Sequence, residues 1–339
     1  MASFPLPNTI SFISSTTSRP PSLAATSHLS HHYCYKHRKP RTNSLSFINK
    51  TGIQEKISSS RSLCRAIRKK TQIVSSPPPE NDEQGSSRVV QVILWAMEGV
   101  YILWLFLLPF APGDPVWAIS SDTINSLVGL SLNFFFVLPL MNSVGIHVLE
   151  APVLHPMSEG LFNFVIGWTL MFAPLLFTDC KRNRYEGSLD VLWGFQMFLT
   201  NTFLIPYMAI RLNESDSNYT PKEPSKLSAV MVSGAPIVGL TGGAACVISI
   251  LWALYGRMDG DFGSLTDRWQ FMISYLGSER LAYAFIWDIV LYTIFQPWLI
   301  GENLQNVEVN KVGIVSKLSY IPVVGLVAYL LSLEPDSDF

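Results

Sequence analysis

The chain has 339 residues, of which 48% are hydrophobic, 12% aromatic and only 14% charged, proportions that exclude an ordinary soluble domain or pair of domains. Of the 24 Lys and Arg, 12 fall within residues 1–70, where Glu55 is the only acid, so residues 71–339 carry 12 basic and 24 acidic groups. An acidic, apolar body of this kind excludes nucleic-acid binding, which needs clustered Lys and Arg to neutralise phosphate.

Residues 1–70 begin Met1-Ala2-Ser3, run through Ser14-Ser15-Thr16-Thr17-Ser18 and gather Lys36, Arg38, Lys39 and Arg41. Hydroxyl-rich, basic and nearly free of acids, this segment reads as an organelle transit peptide. No apolar run of secretory-signal length precedes Val89, and no Arg precedes Arg19, which favours a plastid over a mitochondrion. Cleavage is expected near Leu63-Cys64-Arg65-Ala66 or just after Arg68-Lys69-Lys70. Residues 71–88, with Pro77-Pro78-Pro79 and the acids Glu80, Asp82 and Glu83, are expected to be a disordered linker. Residues 89–339 form the expected transmembrane domain.

That domain is expected to be all-α, a bundle of about seven Pro-kinked transmembrane helices. Crossing ~30 Å of hydrocarbon takes about 20 mostly apolar residues with every peptide group bonded internally. The segments that approach this length are 89–111, 124–145, 161–178, 189–210, 227–255, 281–300 and 312–331. Each holds or ends with one proline: Pro109, Pro139, Pro174, Pro206, Pro236, Pro297 and Pro322. In the fifth, Gly239 and Gly243 have the spacing that lets helix backbones approach, which reads as a central packing helix. Counted over seven crossings, basic residues fall six to each side, so the positive-inside bias does not orient the chain.

Ionisable groups inside spans mark sites of function. Glu98 lies in the first span between Trp95 and Tyr101. In the sixth, Asp288, Tyr292 and Gln296 share a face at steps of four. Gln196, Thr200 and Asn201 in the fourth span and Asn133 in the second add amides and a hydroxyl. Together these residues are expected either to line an interior polar site or to bond helices to one another. A second constellation is the loop Gly145–Glu159, with His147, Glu150, His155 and Glu159, a donor set that iron or zinc accepts, although Pro152 and Pro156 interrupt any helix that would align it. Cys180 and Cys246 are too far apart in sequence to form a framework.

The stretches His155-Pro156-Met157-Ser158-Glu159-Gly160 through Thr178-Asp179, and Trp193 to Tyr207, resemble uncharacterised multi-pass plastid membrane proteins of plants and cyanobacteria. The last 60 or so residues, with Ser278-Glu279, Trp287 to Phe295 and Ile321-Pro322-Val323-Val324-Gly325, are similar to the end of the abscisic-acid-deficient class of plastid membrane proteins. That second resemblance implies a part in neoxanthin formation.

The sequence thus leads to a chloroplast multi-pass membrane protein of thylakoid or inner envelope, expected to be a non-enzymatic assembly, scaffold or auxiliary factor whose partners are the bilayer and other plastid membrane proteins. A carotenoid or isoprenoid-lipid enzyme or pigment-binding protein, holding carotenoid, chlorophyll or a non-haem metal, is the alternative. A small-solute or ion transporter comes third, because no paired half-repeats are visible in the sequence.

Overall fold

Capping chemistry sets the helix boundaries. The computed structural model describes residues 80–214, 224–257 and 260–334, so the expected transit peptide and the first part of the expected linker lie outside the described residues. Helix α1 (Glu80–Ile102) begins earlier than expected, inside the proposed linker. A π-helical turn, Leu103–Leu107, extends α1. The carbonyl of Leu105 in this turn and those of Leu108, Ala111, Pro112 and Gly113 in the chain just beyond it all accept from the buried Arg280 guanidinium.

Helix α2 (Ser121–Leu132), capped by Ser120, and α3 (Val137–Ser143) are bent by 42° across a break in which Phe135 and Phe136 take left-handed φ values of 50° and 57°. Asn163 holds the break open by accepting from the Phe135 N–H and donating to the Asn133 carbonyl. Helix α4 (Pro156–Phe177) starts on Pro156, whose missing N–H costs nothing in the first turn, with the His155 Nδ1 accepting from Met157 N–H. The third expected span is therefore full length, not short.

Residues 189–210, expected as one crossing, are two helices, α5 (Leu189–Leu199) and α6 (Asn201–Ile210), parted at Thr200 (φ 43°, ψ −111°). They fold back on each other, stacking Phe195 on Phe203 with ring centroids 5.2 Å apart. At one root of this hairpin Trp193 of α5 packs on Phe177, the last residue of α4; at the other, Arg211 binds Asp179, just beyond α4. Both roots thus lie at the carboxyl end of α4. The ten residues of α6 reach about 15 Å, half a bilayer core.

Helix α7 (Lys226–Ser233) runs through Gly234 into α8 (Ala235–Tyr255), which returns to the amino end of α4, where Arg257 meets Glu159. Helix α9 (Leu265–Ser278) opens with a capping box between Ser264 and Asp267 and stays at that end, its Arg268 donating to the last carbonyls of α8. Helix α10 (Arg280–Glu302) runs back alongside α4. The last expected span is again a hairpin, of α11 (Val312–Leu318) and α12 (Val324–Leu331), broken at 319–323 with Val323 at φ 64°. An antiparallel bridge between Val307 and Leu333 ties its two roots together, and Tyr329 of α12 meets Thr178 at the carboxyl end of α4.

Among the described residues, then, the regular structure is helical, and four helices are long and apolar enough to cross a membrane: Gly85–Leu107, Pro156–Phe177, Ala235–Tyr255 and Arg280–Glu302. The bent pair α2–α3 makes a fifth candidate by length and composition. Both its anchors lie at the amino end of α4, however, with Thr123 bonded to Glu279 and Asn133 to Glu159. The expected count of seven falls because apolarity does not register reversal of direction inside a segment.

A repeat emerges from this order. Long helix, surface helix, long antiparallel helix and helical hairpin occur as α1 to α6 and again as α8 to α12. In each half the first long helix packs on the second hairpin arm, α1 on α6 and α8 on α12. The sequence echoes it faintly: Phe172-Ala173-Pro174-Leu175-Leu176-Phe177-Thr178-Asp179 and Phe295-Gln296-Pro297-Trp298-Leu299-Ile300-Gly301-Glu302 share Phe, Pro, Leu and a closing acid.

The central helix is α4, not α8: 89% of its apolar window is buried, against 28% for α8. The two touch backbone to backbone, a Cβ on Gly242 lying 2.7 Å from the Gly167 carbonyl and one on Gly160 2.6 Å from that of Ser249. Gly239 and Gly243 do serve close packing, on the neighbouring face, where added Cβ atoms would meet Leu330 and Val327 of α12 at 3.0 and 2.8 Å.

Candidate functional site

The polar face of α10 is where the hairpins end. Asp288 is buried near the middle of the helix, and its Oδ1 accepts from Thr200 Oγ1 at 2.6 Å, Asn201 Nδ2 at 2.7 Å and Tyr101 Oη at 3.1 Å. Thr200 and Asn201 are the tip of the first hairpin, and Tyr101 comes from α1. One turn further along α10, the Tyr292 hydroxyl bonds Thr169 of α4 at 2.7 Å. A turn beyond that, Gln296 clamps the tip of the second hairpin, donating to Ser319 O and Ile321 O at 2.8 and 2.9 Å and accepting from Val323 N–H and the Trp168 indole. Tyr292 and Gln296 thus spend their polar atoms on helix-to-helix bonds, one of the two roles expected for this face.

Around Asp288 the bonding is incomplete. Asn201 Oδ1 and Glu98 Oε2 lack a hydrogen-bond partner, and the fully buried Gln196 has only the Tyr292 hydroxyl beside it. Buried polar atoms of native proteins are almost always paired, with protein or with ordered water, so these atoms mark a place that water, an ion or a polar solute can occupy. Glu98 belongs to the inward stripe Leu94, Glu98, Tyr101 and Leu105, one turn before the Tyr101 that reaches Asp288, while Trp95 faces outward. Of the sequence candidates, the structure brings Asp288, Tyr292, Gln196 and Asn201 together, with Glu98 close by along α1. The signal for Tyr101 and Thr200 as members was their position at helical spacing from Glu98 and Gln196.

The other two buried carboxylates have opposite surroundings. Asp179 is bidentate with Arg211 at 2.7 and 2.8 Å and also receives the Tyr207 hydroxyl and the Asn303 amide. Burial alone would raise its pKa, but the guanidinium and these donors hold it at about 2. Glu159 takes Arg257 at 2.6 Å, the Trp252 indole and Asn133. These pairs pin the two ends of α4.

The proposed metal donors do not converge. Glu159 is committed to Arg257, His155 to capping α4 and stacking on Phe271 at 3.5 Å, and His147 and Glu150 are exposed. Among the described residues no group of three or more His, Cys, Asp or Glu is placed to hold a metal ion. The reason is Pro156, which starts a helix here, turning Glu159 inward to a partner that the sequence places about a hundred residues away.

Burial, and after it the Arg268 charge, push His155 down to about 4. An imidazolium has no acceptor for Met157 N–H, so protonation removes the cap. The sign follows: between 6.5 and about 4 the unfolded chain binds the proton more readily, and stability present above pH 6.5 is lost as pH falls through 4. We expect the melting temperature to drop over that window in the wild type and to drop less in His155→Asn, which keeps a capping oxygen. Parallel melting curves would show His155 to be uninvolved.

No family model, curated protein or solved structure matches this chain.

Proposed function

We propose that the protein is an integral plastid membrane protein that admits a small polar solute or ion between its two halves, a transporter and not an assembly factor. The plastid address rests on the composition of residues 1–70. One observation carries the activity: a hairpin broken in mid-segment brings the tip Thr200-Asn201 onto the buried Asp288, beside polar atoms left without partners. Irregular backbone at membrane depth is tolerated where it lines a cavity or is buried in protein, and transporters place their binding sites at such broken helices near the midplane. The objection raised by the sequence, the want of paired half-repeats, no longer holds.

The test is reconstitution of the full processed chain into liposomes, followed by light-scattering measurements of osmotic shrinkage and recovery in glycerol, urea, sodium acetate and potassium chloride. At least one solute is expected to enter faster than into empty liposomes, and the gain to vanish in Asp288→Leu with Thr200→Val, checked for folding by gel filtration. Uptake equal to empty liposomes for all four solutes would overturn the proposal. Co-migration of the tagged protein with another membrane complex on native gels would then return the assembly reading to the lead.

A further inference from the structure

Among the described residues no cation meets the buried carboxylate of Asp288, whereas Glu159 and Asp179 each have an arginine at 2.6–2.8 Å. The helices around it offer none. Helices α4, α5, α6 and α12 contain no Lys, Arg or His, and α10 contains only Arg280. Arg280 stands two helical turns before Asp288, about 12 Å along the axis, and its guanidinium is taken by the carbonyls of Leu105, Leu108, Ala111, Pro112 and Gly113. Arg268 of α9 is held by α8 carbonyls, Lys317 of α11 is exposed, and the buried charged residue of α1 is Glu98, another acid. A negative charge inside an apolar bundle needs a positive partner from elsewhere.

We infer that Asp288 and the tip of the α5–α6 hairpin hold a monovalent alkali cation, sodium or potassium. That this ion is the solute admitted between the two halves rests on the transport reading above; the ion site does not.

Oxygen atoms decide between an ion and a proton. The three donors to Asp288 all end on Oδ1, and among the described residues none reaches Oδ2. Asn201 Oδ1 also lacks a donor. It cannot exchange places with Nδ2, which donates to Asp288 Oδ1 at 2.7 Å and to the Asp288 carbonyl at 3.4 Å, because the swap would set oxygen against oxygen. Gln196 adds a third such atom. Thr169 gives its own proton to the Val165 carbonyl and so takes the proton of Tyr292, whose oxygen is left to accept from Gln196 Nε2; Gln196 Oε1 then has no donor. A proton on Asp288 could serve at most one of these acceptors, and a water brings no charge. A cation cancels the charge and coordinates several oxygens at once. One carboxylate among neutral oxygens matches one positive charge, whereas a divalent ion would leave a surplus.

The break in the hairpin builds this set. Successive residues of an α-helix point about 100° apart, yet Thr200 and Asn201 both reach one oxygen of Asp288. Thr200 permits it by holding φ 43°, ψ −111°, a backbone conformation that a β-branched residue disfavours. Strain of this kind persists where it forms a ligand clamp, and unwound segments of membrane helices are where transported cations are coordinated.

The experiment is binding of radioactive sodium, and of rubidium as a potassium substitute, to the purified full chain in lipid nanodiscs, at constant neutral pH and ionic strength with choline as the balancing cation. The expected result is saturable binding of at least one of the two, displaced by the unlabelled ion, with affinity lower by at least about 30-fold in Asp288→Asn. The stronger competitor, sodium or potassium, names the ion. If Asp288→Asn fails to fold, Asn201→Ala, which keeps the charge and removes the tip oxygen, reads the loss. No saturable binding to the wild type overturns the inference, and an infrared carboxylic-acid band removed by Asp288→Asn would then assign the charge to a proton. Binding unchanged in both variants overturns it as well. Ion binding without entry into liposomes would leave the ion site standing and remove the transport reading; entry without binding would do the reverse.

Discussion

Replacing Arg211 with Leu is expected to destabilise the protein by about 3–5 kcal/mol, because it strands the fully buried Asp179 without its counter-ion and leaves Glu302 with Lys181 alone. The guanidinium holds the last turn of α4, the end of α6 and the end of α10 in one cluster, with Tyr207 and Asn303 bonded to the same carboxylate. A thermal scan in detergent and the monodisperse fraction on gel filtration report the loss. Adding Asp179→Asn to Arg211→Leu should recover part of it, since removing both partners leaves less uncompensated charge. Wild-type stability in the single variant would mean that Asp179 is hydrated, and the cluster would lose its role as the hairpin's root.

Gly242→Val is the second large effect. A Cβ there meets Met171 and the Gly167 carbonyl across the close contact between α4 and α8, and backbone cannot step aside as a side chain can. Overpacking of this kind costs about 1–3 kcal/mol, and here α4 and α8 must separate as well. Gly243→Ala provides the comparison: its Cβ meets the Val327 side chain of the short helix α12, which can rotate away. A melting temperature clearly lower for Gly242→Val than for Gly243→Ala is the expected order. The opposite order would put the principal seam of the bundle between α8 and α12.

Much of this architecture could be read from residues, and the failures have physical causes. Helical content, the inward acids Glu98 and Asp288 and the common face of Asp288, Tyr292 and Gln296 follow from apolarity and the 3.6-residue period. The glycine face at Gly239 and Gly243 was visible, but not its neighbour at Gly242, which carries the closer contact. The hairpins escaped because a window of summed hydropathy has no sense of direction, and because neither break contains the glycine that usually announces left-handed backbone. Thr200 and Val323 occupy those positions, and a cluster such as Gln196, Thr200, Asn201 and Thr202 in mid-segment was the available cue. Glu159 looked like a metal ligand because its arginine is 98 residues away in the chain.

Both hairpins enter from the same end of the bundle, and that changes how the chain's charges are counted. Arg88, Lys181, Arg182, Arg184, Arg211, Lys226 and Lys311 lie at one end of the bundle, and Arg257, Arg268 and Arg280 at the opposite one. What had been an even division becomes a lopsided one, so the rule that retains lysine and arginine on the side of insertion acquires a direction. For a chain whose four long helices cross a bilayer, the rule would assign the more basic end, the mouths of both hairpins and the two ends of the described chain to the side of insertion.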